Sequence, residues 1–152
     1  MLKGLDNRLN AEVLYALRAM GHGDTLVIAD TNFPSDSIAR ETVLGDLLRM
    51  DNLTCAQAAE AVLSVFPLDT FVDDFAGRME VVGDPKRIEP VQAEVQVAID
   101  AAEGRPRAMV SIERFEFYDR ARKAYAVIQT GERRFYGCFI FRKGVIPPDD
   151  AK

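Results

Sequence analysis

The run Thr25-Leu-Val-Ile-Ala-Asp30 limits the possible folds of this chain more than any other stretch. Four successive apolar residues stand between two groups of turn formers, Gly21-His-Gly-Asp24 before and Asp30-Thr-Asn-Phe-Pro34 after. A strand with one wet face alternates apolar and polar residues. One apolar on both sides belongs in the interior of a sheet that is covered above and below. The covering layers call for amphipathic helices, and the sequence supplies three. Asn10 is a candidate N-cap for a helix from about Ala11 to Met20, in which Val13, Leu14, Leu17 and Met20 share one face and Gly21 offers a left-handed stop. Thr54 caps a second helix through about Phe66, ended by Pro67. A third runs from Glu89 to Glu103 with Val91, Val95, Ala98, Ile99 and Ala102 in a stripe, and Gly104 and Pro106 stop it.

Further strands are expected at about Arg78–Val82, Ala108–Ile112, Tyr125–Gln129 and Cys138–Arg142, with a short helix between Phe115 and Lys123. The alternation predicts an α/β protein with helices on both faces of one central mixed sheet, the last two strands being close enough in sequence to pair antiparallel. A chain of 152 residues suits one domain, expected over residues 1–147, with a polar tail at 148–152.

Composition narrows the partners. Nineteen Lys and Arg against 24 Asp and Glu give a formal charge of −5, and an anionic surface repels both phosphate backbones and acidic lipid. Nucleic acid is not an expected partner. Uninterrupted apolar stretches reach only five residues, as in Ala124–Ile128, against the ~20 that span a bilayer, and no basic-then-apolar export signal opens the sequence. Membrane association is therefore not expected. Cys55 and Cys138 are widely separated, which fits free thiols in a reducing compartment and points to the cytoplasm.

His22, the only histidine, is the one side chain whose unperturbed pKa, about 6.5, lets it give and take protons near neutrality. Gly21 and Gly23 flank it and leave room for a ligand; a simpler role is contact with the carbonyls ending the first helix. Asp30 leaves the most apolar strand at its carboxyl end, where ligands collect in open α/β sheets; its simpler role is to start the following turn by accepting backbone N–H groups. In Ile112-Glu-Arg-Phe-Glu-Phe-Tyr-Asp-Arg-Ala-Arg-Lys123, Arg114 and Tyr118 could hydrogen-bond a polyhydroxylated ligand, while the four-residue spacing of Glu116 and Arg120 also suits an exposed salt-bridged face. One histidine and two scattered cysteines are too few for zinc, and Asp73-Asp74 and Asp149-Asp150 lack calcium-loop spacing. Cys138 with His22 makes a poor nucleophilic pair for want of a third, orienting group. Gly21-His-Gly-Asp24 precedes its strand, where a dinucleotide fingerprint would follow one.

Six segments in order carry a resemblance: Met20-Gly-His-Gly-Asp24, Asp30-Thr-Asn-Phe-Pro34, Arg114-Phe-Glu-Phe-Tyr118, Thr130-Gly-Glu-Arg133, Tyr136-Gly-Cys138 and Lys143-Gly-Val145. Together they resemble the RbsD/FucU family, and the fucose mutarotase branch more than the ribose pyranase branch. The resemblance implies an RbsD-like three-layer α/β/α subunit in a ring-shaped homo-oligomer, often a decamer. It implies a cytoplasmic isomerase, free of metal or organic cofactor, that interconverts the forms of a free monosaccharide. By position, His22 matches the general acid, and Asp30 and Arg114 match sugar-binding residues. Tyr136, Gly137 and Cys138 match a Tyr-x-Asn binding segment, and Tyr118 matches an aromatic position. Cys138 replaces the Asn, and a thiol lacks the amide's paired donor and acceptor.

A strand from Thr25 to Asp30 covers about 17 Å at ~3.3 Å per residue, longer than a sugar ring. The expected site is therefore shared between subunits, with His22 of one chain facing Asp30, Arg114 and Tyr136 of its neighbour. A sugar-binding or regulatory protein without turnover, a ribose pyranase-like enzyme and a ring-forming structural subunit are the competing readings.

Overall fold

Asn10 caps the first helix as its side chain suggests: its Oδ1 accepts from the Val13 N–H at 2.9 Å, opening α1 (Ala11–Ala19). In the computed structural model, which describes residues 1–148, there follow β1 (Thr25–Ala29), α2 (Ser35–Ala39), β2 (Leu47–Met50), α3 (Cys55–Leu63) and β3 (Ala76–Met79). Next come α4 (Pro90–Glu103), β4 (Val110–Ile112), α5 (Arg114–Arg122), β5 (Ala126–Thr130) and β6 (Phe139–Arg142). Thr54 and Gln57 form a reciprocal cap on α3, and Gly104 (φ 68°) closes α4 in the left-handed conformation. No helix among the described residues is long and apolar enough to cross a membrane.

The six strands form one sheet in the order β2-β5-β1-β6-β3-β4. β1 is interior, as its apolar run requires, and Leu26 to Ala29 are fully buried. Its alternation distributes the core. Leu26 and Ile28 join the cluster of α1, α3 and α4, while Val27 and Ala29 join that of α2 and α5. The result is the three-layer α/β/α arrangement around a mixed sheet.

Four local expectations change. The strands β5 and β6 are not neighbours: β1 lies between them, parallel to β5 and antiparallel to β6, so the sheet is mixed without a hairpin. Gly21 does not supply the left-handed stop of α1. Met20 turns extended there, and the positive φ falls on Gly23 (85°). The third strand lies earlier than Arg78–Val82 because Val81 and Val82 belong to a turn. Finally, α2 and β2 join the elements expected from the sequence. The polar tail at 148–152 lies, beyond Pro148, outside the described residues.

Candidate functional site

The register of the central strands gathers one set of side chains. Ile28 pairs with Phe139 and Arg78 with Phe139, so the carboxyl ends of β1 and β3 meet the amino end of β6. Asp30, Met79 and Cys138 thus converge on the α2/α5 face, where the ends of strands leave a crevice. A cleft of about 370 Å³ opens there, lined by these three with Asn32, Phe33, Val82, Arg114, Tyr118, Phe135 and Tyr136. That size falls within the range of small-molecule sites, about 300–1,000 Å³.

Asp30 is 3% exposed and engaged on both oxygens. Oδ1 accepts from the Asn32 and Phe33 N–H groups at 2.9 and 3.1 Å, which is the turn-starting role, and Oδ2 accepts from the Gly137 N–H at 3.0 Å and the Cys138 thiol at 3.6 Å. Gly137 does not line the cleft but lies beneath it. A Cβ at 137 would stand 3.1 Å from Asp30 Cβ and from Glu132 Cγ, so glycine lets the loop close on the carboxylate. Burial, reinforced by the Asp30 charge, pushes the Cys138 thiol well up, so it stays protonated. Cys55, hydrogen-bonded to Thr130 and the Gly137 carbonyl, is pushed up to about 12 by burial. Cys138 and His22 lie at opposite ends of β1 and do not form a nucleophilic pair.

Arg114 starts α5, whose cap is Glu113: its Oε2 accepts from the Phe115 and Glu116 N–H groups. The guanidinium carbon lies 5.7 Å from the Tyr118 ring centroid, and Tyr118 stacks on Phe33 at 5.6 Å. One helical turn of α5 therefore supplies a cation and an aromatic wall. Tyr136 has φ 63°, the only positive value at a non-glycine among the described residues, and its phenol oxygen accepts from the Val82 N–H at 3.2 Å. Beside it, Glu132 binds Arg134, which also forks onto Glu94. The Arg134 hydrogen bonds hold Glu132 down at about 2.

His22 is elsewhere, beyond the amino end of β1. Its side chain is 46% exposed, and Nε2 lies 3.1 Å from Oδ2 of the buried Asp69. The carbonyls ending α1 are not its partners; Lys143 Nζ donates to Leu17 and Met20 instead. Asp69 Oδ1 accepts from the Phe71 N–H at 3.0 Å, and the Phe71 ring, 72% exposed, stands edge-on to the imidazole at 5.7 Å. One carboxylate thus positions both rings. Burial works to raise Asp69, but the bonds from Phe71 and His22 outweigh it and keep the group below its ordinary value, hence ionised. Nε2 must then carry the proton, which leaves the lone pair on Nδ1.

Asp69 escaped the sequence reading. No local motif marks Leu68-Asp69-Thr70. The segment reaches His22 by pairing with the end of β6, through the Leu68–Lys143 bridge and the Asp69 N–H donated to the Arg142 carbonyl. Among the described residues no group of three or more His, Cys, Asp or Glu is placed to hold a metal ion.

Residues 3–146 match the RbsD / FucU transport protein family. Human fucose mutarotase is 48% identical over 149 residues, covering 95% of this chain and 94% of that protein. The crystallised protein Atu2016 superposes with a TM-score of 0.95 at 63% identity, covering 97% of both chains. The fucose mutarotase of Streptococcus pneumoniae, solved in complex with L-fucose, gives a TM-score of 0.85 at 32% identity over 96% of this chain and all of that one.

Proposed function

This chain belongs to the RbsD / FucU family, and we propose that it is a cofactor-independent mutarotase of L-fucose or a closely related sugar. The observation that carries the reading is the near full-length similarity to fucose mutarotases, 48% identity over 95% of the chain. The cleft at Asp30 suits the substrate: a carboxylate, a guanidinium and phenols for hydroxyls, with aromatic rings for an apolar sugar face.

Mutarotation asks for two proton transfers. The anomeric hydroxyl loses a proton as the ring oxygen gains one, the ring opens, and closure on the other carbonyl face gives the other anomer. His22 is the acid-base group of this reading. With Nε2–H given to Asp69, Nδ1 takes the anomeric proton and delivers it to the ring oxygen, and on closure carries it back the other way, a role worth ~10²–10⁴ in rate. Asp30 accepts a sugar hydroxyl in place of its long Cys138 thiol contact, and Arg114 stabilises oxygen as negative charge develops on it.

His22 and the cleft flank β1 from opposite ends, which supports a site shared between subunits. The functional unit we infer is a cytoplasmic homo-oligomeric ring, of decameric size, in which the His22 edge of one subunit closes over the cleft of the next. Saturation-transfer NMR on equilibrated L-fucose tests the reaction. Exchange between anomeric signals, faster than the spontaneous rate and lost in His22→Ala, is the expected result; line broadening without exchange would leave a sugar-binding protein instead.

A further inference from the structure

Gln92 sits in the first turn of α4 with its side chain fully buried, and its amide is saturated. Oε1 accepts from the Glu89 N–H at 3.2 Å and faces the Arg78 guanidinium at 3.5 Å. Nε2 donates to the Met79 carbonyl at 2.7 Å and to the Tyr136 carbonyl at 3.2 Å. A primary amide offers two donor hydrogens and two acceptor lone pairs, so these four partners fix which way it points. Capping α4 accounts for the Glu89 contact and uses only the oxygen. Both nitrogen contacts run away from the helix, to two residues that line the cleft.

Tyr136 is the residue most in need of such support. A bulky side chain at φ 63° is strained and persists only where its surroundings hold it. Two contacts do so here, Gln92 on the carbonyl and the Val82 N–H on the phenol. The second also leads back to the same cluster. Arg78, only 6% exposed, donates to the Pro85 carbonyl at 3.0 Å and so ties down the turn that carries Val82. Ser111 adds a longer bond to the same carbonyl at 3.4 Å.

We propose that Gln92, braced by Arg78, is a positioning residue for sugar binding: it holds the Tyr136 backbone in the left-handed conformation that presents the phenol to the cleft. The inference rests on the reading of that cleft as the sugar site. Removing the amide donors frees the Tyr136 peptide, while His22, at the far end of β1, is untouched. Binding should weaken and the chemical step should not.

The test compares Gln92→Glu and Gln92→Met with the parent protein, each also in a Tyr136→Gly background. Gln92→Glu keeps the acceptor that meets the Glu89 N–H and faces Arg78, and puts a second oxygen where the amide nitrogen donated; Gln92→Met removes the donors without adding charge. L-fucose is titrated by NMR for Kd, and anomer exchange is followed for KM and kcat. Expected is a rise of about tenfold in KM and Kd with kcat within about twofold, in both variants. In the Tyr136→Gly background, where no strained residue remains to be held, the same substitutions should leave Kd unchanged while still lowering Tm. An unchanged Kd in the parent background, an equal loss in both backgrounds, or a fall in kcat that tracks the loss of folded protein would each overturn the assignment. A parent protein that binds L-fucose without exchanging it overturns the mutarotase reading alone, and the Kd comparison still decides Gln92. One that neither binds nor exchanges it removes both.

Discussion

The two ends of β1 are built on opposite principles. At the carboxyl end, Asp30 is 3% exposed and holds four contacts from the turn and from the Gly137-Cys138 segment, so the cleft is rigid before any ligand arrives. At the amino end, the His22 side chain is 46% exposed and rests on a single carboxylate. A binding surface gains from groups that need no ordering, whereas a proton carrier needs an accessible lone pair and little else. The contrast fits the proposed shared site, in which the cleft end supplies shape and the His22 end an imidazole.

The strongest way to break this division is at His22. His22→Ala should lower kcat for anomer exchange by ~10²–10⁴ and leave Kd for L-fucose within about threefold, measured by the same NMR titration. Mixing His22→Ala with Arg114→Ala subunits, after dissociation and reassembly, should restore about a quarter of the parent activity, since in the proposed shared site the two halves come from two chains. Recovery of none would place both halves in one subunit.

Next in size is the support of the imidazole. Asp69→Asn can present an amide N–H to His22 and favour the tautomer with its lone pair on Nε2. A loss of about tenfold to a hundredfold in kcat with an unchanged KM is expected. A rise in KM alone would instead assign Asp69 to sugar binding.

Stability should report the same contrast in reverse. Asp30→Ala strips acceptors from the N–H groups of Asn32, Phe33 and Gly137, at a cost of about 3 kcal/mol. In calorimetry that corresponds to a fall of about 10 °C in Tm, against no more than about 3 °C for His22→Ala. Equal losses would erase the distinction between a built end and an open one.

The smallest effect belongs to the ion pair beside the cleft. Glu132 titrates at about 2 in the folded protein, below its ordinary 4.5, so its contribution is complete above pH ~4.5 and is lost as pH falls toward 2. Arg134→Ala removes the main cause of that depression. The gap in Tm between parent and variant should be widest above pH ~4.5 and narrow steadily on acidification; a gap independent of pH would mean that Arg134 acts through packing.

How much of this could be read from residues alone depended on how each element is specified. β1 and the helices α1, α3 and α4 announce themselves because their signals are local: an apolar run, Asn10, Thr54 and Gly104. In contrast, α2 has five residues and no side-chain cap, and β2 is a four-residue edge strand with Arg49 exposed, too short to show a period. β3 lies earlier than expected because Gly77 is unusual in a strand, while Val81 and Val82 mimic one. In the site, His22, Asp30, Arg114, Tyr118 and Tyr136 carry recognisable chemistry in sequence. Asp69 and Gln92 do not, because their roles depend on partners that only the pairing of distant strands and the docking of α4 bring near.

The span between His22 and the cleft is set by β1, whose residues Leu26 to Ala29 are sealed from solvent and bonded along both edges. Such a segment is a gauge block, which cannot lengthen by a fraction of a residue, and one inserted residue would turn every later side chain onto the wrong layer. Descendants of this chain that adapt to a different sugar have only the tips to vary, around Gly21 to Gly23 at one end and residues 131–137 at the other, while the strut between them passes down unaltered.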